Sequence, residues 1–207
     1  MTPFTTLSGT AAPLPEENVD TDIIFPARFL LITARAGLGR YAFHDRRFDA
    51  QGAEIAGFVL NRAPWRDAPI LLAGANFGSG SSREQAVWAL LGQGITCVIA
   101  PSFGEIFYGN CFRNGVLPIR LPTALVTALT ERATAGERFA IDLEAQTLRV
   151  GDDPPIAFEV GAEQRLALLN GWDETALILN ASSDDITAFE ARQKTLQPWL
   201  YDMGASR

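Results

Sequence analysis

Residues 68–100 read APILLAGANFGSGSSREQAVWALLGQGITCVIA, and their pattern decides the fold class. The apolar runs at 68–73 and 96–100 are typical of strands that are buried on both faces of a sheet. Between them, a loop rich in glycine and serine at 74–82 leads into a helical pattern of apolar residues at 83–91. This order of strand, loop, helix and strand predicts parallel strands joined by a right-handed crossover.

The alternation of strands and helices continues downstream of this stretch. Ser102 and Glu105 have the spacing of a capping box, which predicts a helix from 102 to about 112. A third parallel strand is expected at 116–119, because its apolar residues follow the Asn-Gly that ends this helix. The other expected elements are strands at 22–25, 139–143, 147–150 and 156–160, and helices at 123–133, 163–170 and 184–194.

Together these elements predict an α/β protein with one domain spanning residues 1–207. A parallel βαβαβ core is expected, with a second, antiparallel sheet packed on it. The helices from about 163–207 are expected to form a C-terminal extension of this domain.

Composition describes a globular protein and excludes several classes of function. With 207 residues, of which 47% are hydrophobic and 20% charged, the chain can bury a substantial core. No run of 18 apolar residues is present, and the N-terminus lacks the basic and apolar segments of a secretory signal. We therefore expect a cytoplasmic protein without a membrane partner. The net charge is −7 and Lys194 is the only lysine, so no nucleic-acid partner is expected.

Side chains that bind metals or titrate near neutral pH are scarce in this sequence. Cys97 and Cys111 are the only cysteines, too few for an iron–sulfur cluster or a cysteine-rich zinc site, and no metal is expected in this chain. Cys97 lies within an apolar run, which indicates a core residue. His44 is the only histidine, so mechanisms that need two histidines are excluded.

The loop from Gly74 to Gln85 carries the candidate chemistry. It joins the C-terminal end of a buried strand to a helix N-terminus, a place where open α/β sheets bind ligands and where backbone N–H groups attract anions. Gly78 and Gly80 would let the backbone approach a ligand, and Arg83 could grip a carboxylate through two hydrogen bonds. The positive charge of Arg83 and of the helix N-terminus also lowers the free energy needed to ionise a serine hydroxyl. The loop thus predicts a carboxylate substrate beside a hydroxyl that acts as a base.

A purely structural interpretation of the loop remains open. Ser81 with Glu84, or Ser82 with Gln85, has the spacing of a capping box, and the glycines could serve only a tight turn. Familiar catalytic loops do not fit. The nucleophile elbow G-x-S-x-G is absent, the loop has no P-loop lysine, and Arg83 stands where a dinucleotide-binding loop has its third glycine.

Several segments resemble the swivelling domain of the aconitase superfamily. Residues 77–84, FGSGSSRE, are similar to the family's G-x-G-S-S-R-E loop, and 18–24, NVDTDII, to its N-terminal signature. Downstream segments at 100–103, 106–110 and 114–118 match in the same order and spacing. The resemblance is to the small subunits of bacterial isopropylmalate isomerases and covers essentially the whole chain. It implies a three-layer β/β/α swivelling domain.

The resemblance also implies an activity and a partner. The reaction is a stereospecific dehydration and rehydration of a small hydroxy dicarboxylic acid bearing an isopropyl group, a step of leucine biosynthesis. The family's large subunit holds a [4Fe–4S] cluster that acts as a Lewis acid, which implies a heterodimer or higher hetero-oligomer with this cluster-binding subunit. In the family the first serine of S-S-R-E is the base, which is Ser81 here. Ser82 and Arg83 would bind the substrate carboxylate, and Asp22 occupies the family's acidic position near the site.

Other candidates have two possible roles. Ser79 is placed with its neighbouring glycines among the substrate-binding residues of the loop. Arg28 could reach a substrate carboxylate or be a surface arginine, whereas Leu31 and Ile32 could contact the isopropyl group or belong to the core. Asp20 could form an Asx-turn. Arg35 and Arg40 are expected to be solvated or at the partner interface.

One residue departs from the family's pattern. Gln85 stands where the family usually has histidine after S-S-R-E, and glutamine cannot relay a proton near neutral pH. Methylmalate, homoaconitate or a dimethylmalate therefore remain alternative substrates. A non-catalytic carboxylate-binding module is the alternative from another functional class.

Overall fold

The computed structural model describes residues 1–32 and 34–201, so the expected C-terminal extension is described only as far as Tyr201. The strands are β1 (Thr6–Leu14), β2 (Ile70–Ala73), β3 (Cys97–Ala100), β4 (Leu117–Arg120), β5 (Arg138–Asp142), β6 (Thr147–Val150) and β7 (Ile156–Ala157). The helices are α1 (Thr21–Ile24), α2 (His44–Arg47), α3 (Glu84–Gly92), α4 (Glu105–Asn114), α5 (Thr123–Thr134), α6 (Ala162–Asn170), α7 (Glu174–Ala181) and α8 (Ser183–Leu196). Short 3₁₀ turns lie at Ala27–Phe29, Leu38–Tyr41, Val59–Asn61 and Pro198–Leu200.

The strands form a seven-stranded sheet in the order β4-β3-β2-β1-β5-β6-β7. β4, β3, β2 and β1 are parallel, while β1, β5, β6 and β7 are antiparallel. β1 belongs to both halves, because residues 11–14 pair with β2 and residues 6–10 pair with β5. The predicted α/β class is confirmed, with its parallel core, antiparallel strands and C-terminal helices. The predicted antiparallel sheet is connected edge to edge with the core through β1.

The core lies on both faces of the parallel strands. In β2, Leu71 and Ala73 pack into a cluster with α3 and α4, whereas Ile70 and Leu72 pack into a cluster with α5. Successive side chains of a strand point to opposite faces, so covering both faces requires an uninterrupted apolar run. This explains the pattern at residues 70–73. No helix of the described ranges is long and apolar enough to cross a membrane.

Most elements lie within two residues of the predicted bounds, but the N-terminal prediction was wrong. The strand predicted at 22–25 is helix α1, because the side chain of Asp20 caps the turn by accepting a hydrogen bond from the N–H of Ile23 at 2.8 Å. The first strand is instead β1. Its sequence TLSGTAAPL has few β-branched or aromatic residues, so pairing on both sides stabilises it rather than intrinsic propensity.

Candidate active site

The glycine–serine loop, residues 74–83, connects the C-terminal end of β2 to the start of α3. Its first half is held by the segment that follows β3. The N–H of Phe77 donates to the carbonyl of Ser102 at 3.1 Å, and the N–H of Gly104 donates to the carbonyl of Phe77 at 2.9 Å. The hydroxyl of Ser102 accepts a hydrogen bond from the N–H of Asn76 at 2.8 Å. The capping box predicted for Ser102 was therefore wrong, and α4 begins after Gly104 without a side-chain cap.

Gly78 lies at the base of this loop. It has φ +71°, and a Cβ built on it would lie 2.2 Å from Cγ of Phe107, so the missing side chain makes room for that ring. Its N–H donates to the carbonyl of Val19 at 2.7 Å. This N–H is thus engaged within the fold, and the assignment of Gly78 to substrate binding stays a prediction.

The segment before α1 holds the second half of the loop. The N–H of Thr21 donates to the carbonyl of Ser79 at 2.9 Å, and the hydroxyl of Thr21 donates to the carbonyl of Ser81 at 3.0 Å. Gly80, Ser81 and Ser82 are exposed, while Ser79 is half-buried. Both serine side chains singled out by the sequence therefore lie on the surface of this chain.

Neither capping box considered for the serines is formed. α3 begins at Glu84, and its N-cap is Arg83, which makes no side-chain capping hydrogen bond. The carboxylate of Glu84 instead accepts a hydrogen bond from the side chain of Asn114 at 2.7 Å. The hydroxyls of Ser81 and Ser82 are consequently available for a ligand.

Asp22 and Arg83 form an ion pair across the site. The hydrogen bond from Arg83 lowers the pKa of the Asp22 carboxyl, so this carboxyl is ionised at neutral pH. The side chain of Arg83 is 14% exposed and that of Asp22 is 51% exposed. A guanidinium has five N–H donors, so pairing with Asp22 leaves donors for a second carboxylate. The structure therefore brings together Asp22, Arg83 and the two exposed serines.

Arg28 lies in a different cluster. Its guanidinium pairs with the carboxylate of Asp45 and lies 3.2 Å from Nδ1 of His44. Leu31 is 91% exposed, so it does not belong to the core, whereas Ile32 is half-buried and packs on the α3 side of the core. The roles of these three residues in substrate binding stay predictions.

Arg35 and Arg40 are both exposed, and each stacks on an aromatic ring. The guanidinium of Arg35 lies 4.1 Å from the ring centre of Trp88, and that of Arg40 lies 4.7 Å from that of Tyr41. Such contacts orient a guanidinium without removing its charge. A place at the partner interface stays a prediction for both.

The Arg28–Asp45 pair gives a pH-dependent prediction. The hydrogen bond from Arg28 lowers the pKa of the Asp45 carboxyl to about 2. Its contribution to stability is therefore present above the ordinary value of 3.8 and is lost as the pH falls through about 2. Both side chains are more than half exposed, so this contribution is small. In an NMR titration, Arg28→Gln should raise the pKa of Asp45 toward 3.8. An unchanged pKa would contradict the pairing.

Asn18, Asn76 and Thr21 lie within the signature at 18–24 or the candidate loop, but no sequence pattern predicted a role for their side chains. The side chain of Asn76 donates to that of Asn18 at 2.8 Å, and the two residues have φ of 59° and 58°. Asparagine is one of the few residues that adopt this left-handed conformation readily. The two asparagines could therefore have been used to predict tight turns at positions 18 and 76. The contacts of Thr21 depend on a residue 60 positions away and left no local signal.

The described residues contain no group of three or more His, Cys, Asp and Glu side chains that could hold a metal ion. Cys97 and Cys111 are both buried, and burial raises the pKa of each thiol above its ordinary value. A buried thiol with a raised pKa is a poor metal ligand, because the ligand is the thiolate.

Two family models match this chain. The model of the aconitase C-terminal domain matches residues 1–124. The model of the C-terminal domain of the 3-isopropylmalate dehydratase small subunit matches residues 181–202.

Curated relatives and a solved structure are similar over nearly the whole chain. The 3-isopropylmalate dehydratase small subunit of Rhodospirillum centenum is 54% identical over 201 residues, which are 96% of this chain and 98% of the relative. That of Rhodospirillum rubrum is 50% identical and covers 97% of both chains. The crystal structure of 3-isopropylmalate dehydratase from Methanocaldococcus jannaschii has a TM-score of 0.65 and 26% identity, covering 89% of this chain and 99% of its own. The chain belongs to the 3-isopropylmalate dehydratase small-subunit family, whose enzyme is a hydro-lyase with an aconitase-type domain.

Proposed function

We propose that this chain contributes Ser81 and Arg83 to the active site of a 3-isopropylmalate dehydratase, and that the site is completed by a cluster-binding large subunit. The enzyme would interconvert 2-isopropylmalate and 3-isopropylmalate in leucine biosynthesis. One observation carries this proposal above the others. The side chains of Ser81 and Ser82 are exposed and do not cap α3. They lie next to Arg83, whose guanidinium is paired with Asp22.

The chemistry assigned to this chain is proton transfer and carboxylate binding. The hydroxyl of Ser81, as its alkoxide, would take the carbon-bound proton and return it in the reverse step. The guanidinium of Arg83 and the start of α3 favour the ionised hydroxyl, because both place positive charge near it. Arg83 would bind the substrate carboxylate with the donors that Asp22 leaves free, and the hydroxyl of Ser82 would donate a further hydrogen bond.

We assign the Lewis acid of the reaction to the partner, because two cysteines are too few to hold an iron–sulfur cluster. The hydroxyl that leaves the substrate needs a Lewis acid, which a [4Fe–4S] cluster on the large subunit would supply. Ser81 is exposed in this chain alone, and an alkoxide base in contact with bulk water would be protonated. The large subunit is therefore also needed to cover the loop. We further propose that residues 1–207 act as one swivelling domain, with the helices from about residue 163 as its extension.

The function is tested by reconstitution with the large subunit from the same genome. The isolated chain should show no turnover of 2-isopropylmalate, and the cluster-loaded pair should produce 3-isopropylmalate. Turnover by the isolated chain would contradict the shared site. A panel containing methylmalate, homoaconitate and a dimethylmalate measures the specificity constant for each alternative, and the isopropyl substrate should be preferred. Repeating the panel with Gln85→His shows whether Gln85 changes this preference.

A further inference from the structure

Thr21 lies beneath the exposed part of the glycine–serine loop and contacts it twice. Its N–H donates to the carbonyl of Ser79 at 2.9 Å, and its hydroxyl donates to the carbonyl of Ser81 at 3.0 Å. Thr21 is 2% exposed, so water competes little for these bonds. One buried residue thus fixes two alternate peptide groups of the loop.

These contacts determine where the neighbouring N–H groups point. A trans peptide group is planar, and its C=O and N–H point in opposite directions. The carbonyls of Ser79 and Ser81 face Thr21, so the N–H groups of Gly80 and Ser82 face away from it. Neither N–H has a hydrogen-bond acceptor within the described parts of the chain, and both residues are exposed. The loop therefore presents two backbone donors on its outer side, an arrangement that binds anions.

Thr21 is itself held by a rigid element. Its carbonyl accepts a hydrogen bond from the N–H of Phe25 at 2.9 Å, and the cap from Asp20 fixes the same turn. Ile24 and Phe25 are fully buried, so α1 is anchored in the core. Gly80 has φ +91°, and a Cβ on it would lie 3.6 Å from Oγ1 of Thr21, so the loop passes directly over this hydroxyl.

We propose that Thr21 is a positioning residue for the reaction. It holds Ser81 in place through its carbonyl and turns the N–H groups of Gly80 and Ser82 toward the substrate carboxylate. This inference rests on the proposed function, because the donors act on a bound carboxylate. Donors fixed before the reaction stabilise the negative charge that develops when the proton leaves, since they need no reorganisation. Thr21 is buried and so acts through the loop, without touching the substrate.

The test compares Thr21→Val with Thr21→Ser in the reconstituted enzyme. Valine keeps the shape and the N–H bond to Ser79 but removes the hydroxyl, so the kcat should fall roughly ten- to a hundred-fold while KM changes less. Serine keeps the hydroxyl and should retain kcat within about threefold. The matched control is Thr187→Val on α8, which removes a hydroxyl that donates to the carbonyl of Ser183 at 2.9 Å, far from the loop in sequence. The control should retain wild-type kcat.

A second measurement is independent of turnover. In the NMR spectrum of the full free chain, Thr21→Val should shift the carbonyl ¹³C resonance of Ser81 and the amide ¹⁵N resonance of Ser82, and Thr21→Ser should leave them near their wild-type positions. Unchanged resonances in Thr21→Val would overturn the role of Thr21. So would a lower Tm with unchanged kcat, because that is the signature of a merely structural hydroxyl. An inactive wild-type pair would overturn the proposed function instead, so the two failures are distinguishable.

Discussion

Replacing Ser81 by alanine should lower the kcat of the reconstituted enzyme roughly a thousand-fold, the loss typical of removing a general base. The hydroxyl of Ser81 makes no hydrogen bond to the described residues, and the side chain is exposed. Only the backbone carbonyl of Ser81 is engaged, and alanine keeps it. The variant should therefore fold with a stability within about 0.5 kcal/mol of the wild type.

The Ser81→Ala measurement needs both turnover and assembly. Size-exclusion chromatography should show the same complex with the large subunit as for the wild type, because removing one hydroxyl leaves the rest of the loop surface unchanged. Ser183→Ala, at the exposed start of α8, is a matched control that should keep full activity. Near-normal turnover by Ser81→Ala would contradict the assignment of Ser81 as the general base and would favour a carboxylate-binding module.

Replacing Gly78 by alanine should cost about 3–5 kcal/mol of unfolding free energy, the sum of overpacking and backbone strain. The new Cβ would meet Cγ of Phe107 at 2.2 Å. The ring of Phe107 has little space to move away from the new Cβ. Phe107 is 2% exposed, and its ring packs edge-on against that of Phe77 at 5.5 Å between ring centres. The positive φ of +71° adds strain for any residue with a side chain.

Urea unfolding of the full chain measures this cost against a matched control. Gly52→Ala changes a residue with a similar φ of +81° but with no atom within 4 Å of the new Cβ, so it should cost only about 1 kcal/mol. Adding Phe107→Leu to Gly78→Ala should recover part of the loss, because the smaller side chain can make room. Equal stabilities of the Gly78 and Gly52 variants would show that the contact with Phe107 is not restrictive.

The parallel core could be predicted from sequence because its strands are buried on both faces. The runs at 70–73 and 97–100 have no polar residue, which is a local signal of that environment. β1 carries no such signal, since its small residues are buried by elements that are distant in sequence: Ala11 packs in the cluster with α5 and Ala12 in the cluster with α3 and α4. α1 was mistaken for a strand because Ile23 and Ile24 favour strands, while the cap from Asp20 decides otherwise.

The position of the candidate loop between a strand and a helix was predictable, whereas the contacts made around it were not. Ser81, Ser82 and Arg83 follow a buried strand and precede a helix, a position at which open sheets bind ligands. The pairing of Arg83 with Asp22 joins residues 61 positions apart, so no local pattern could give it. The exposure of Leu31 also depends on tertiary packing, since its sequence neighbourhood is as apolar as a core segment.

The central position of β1 has a consequence for how the protein is made. The ribosome releases β1 before either of its two neighbours, which are encoded at residues 70–73 and 138–142. Pairing over such long separations is slow and leaves apolar strands open to aggregation in the meantime. The nascent chain therefore cannot pair both edges of β1 until residue 142 has emerged, and chaperones should be bound to it during that interval.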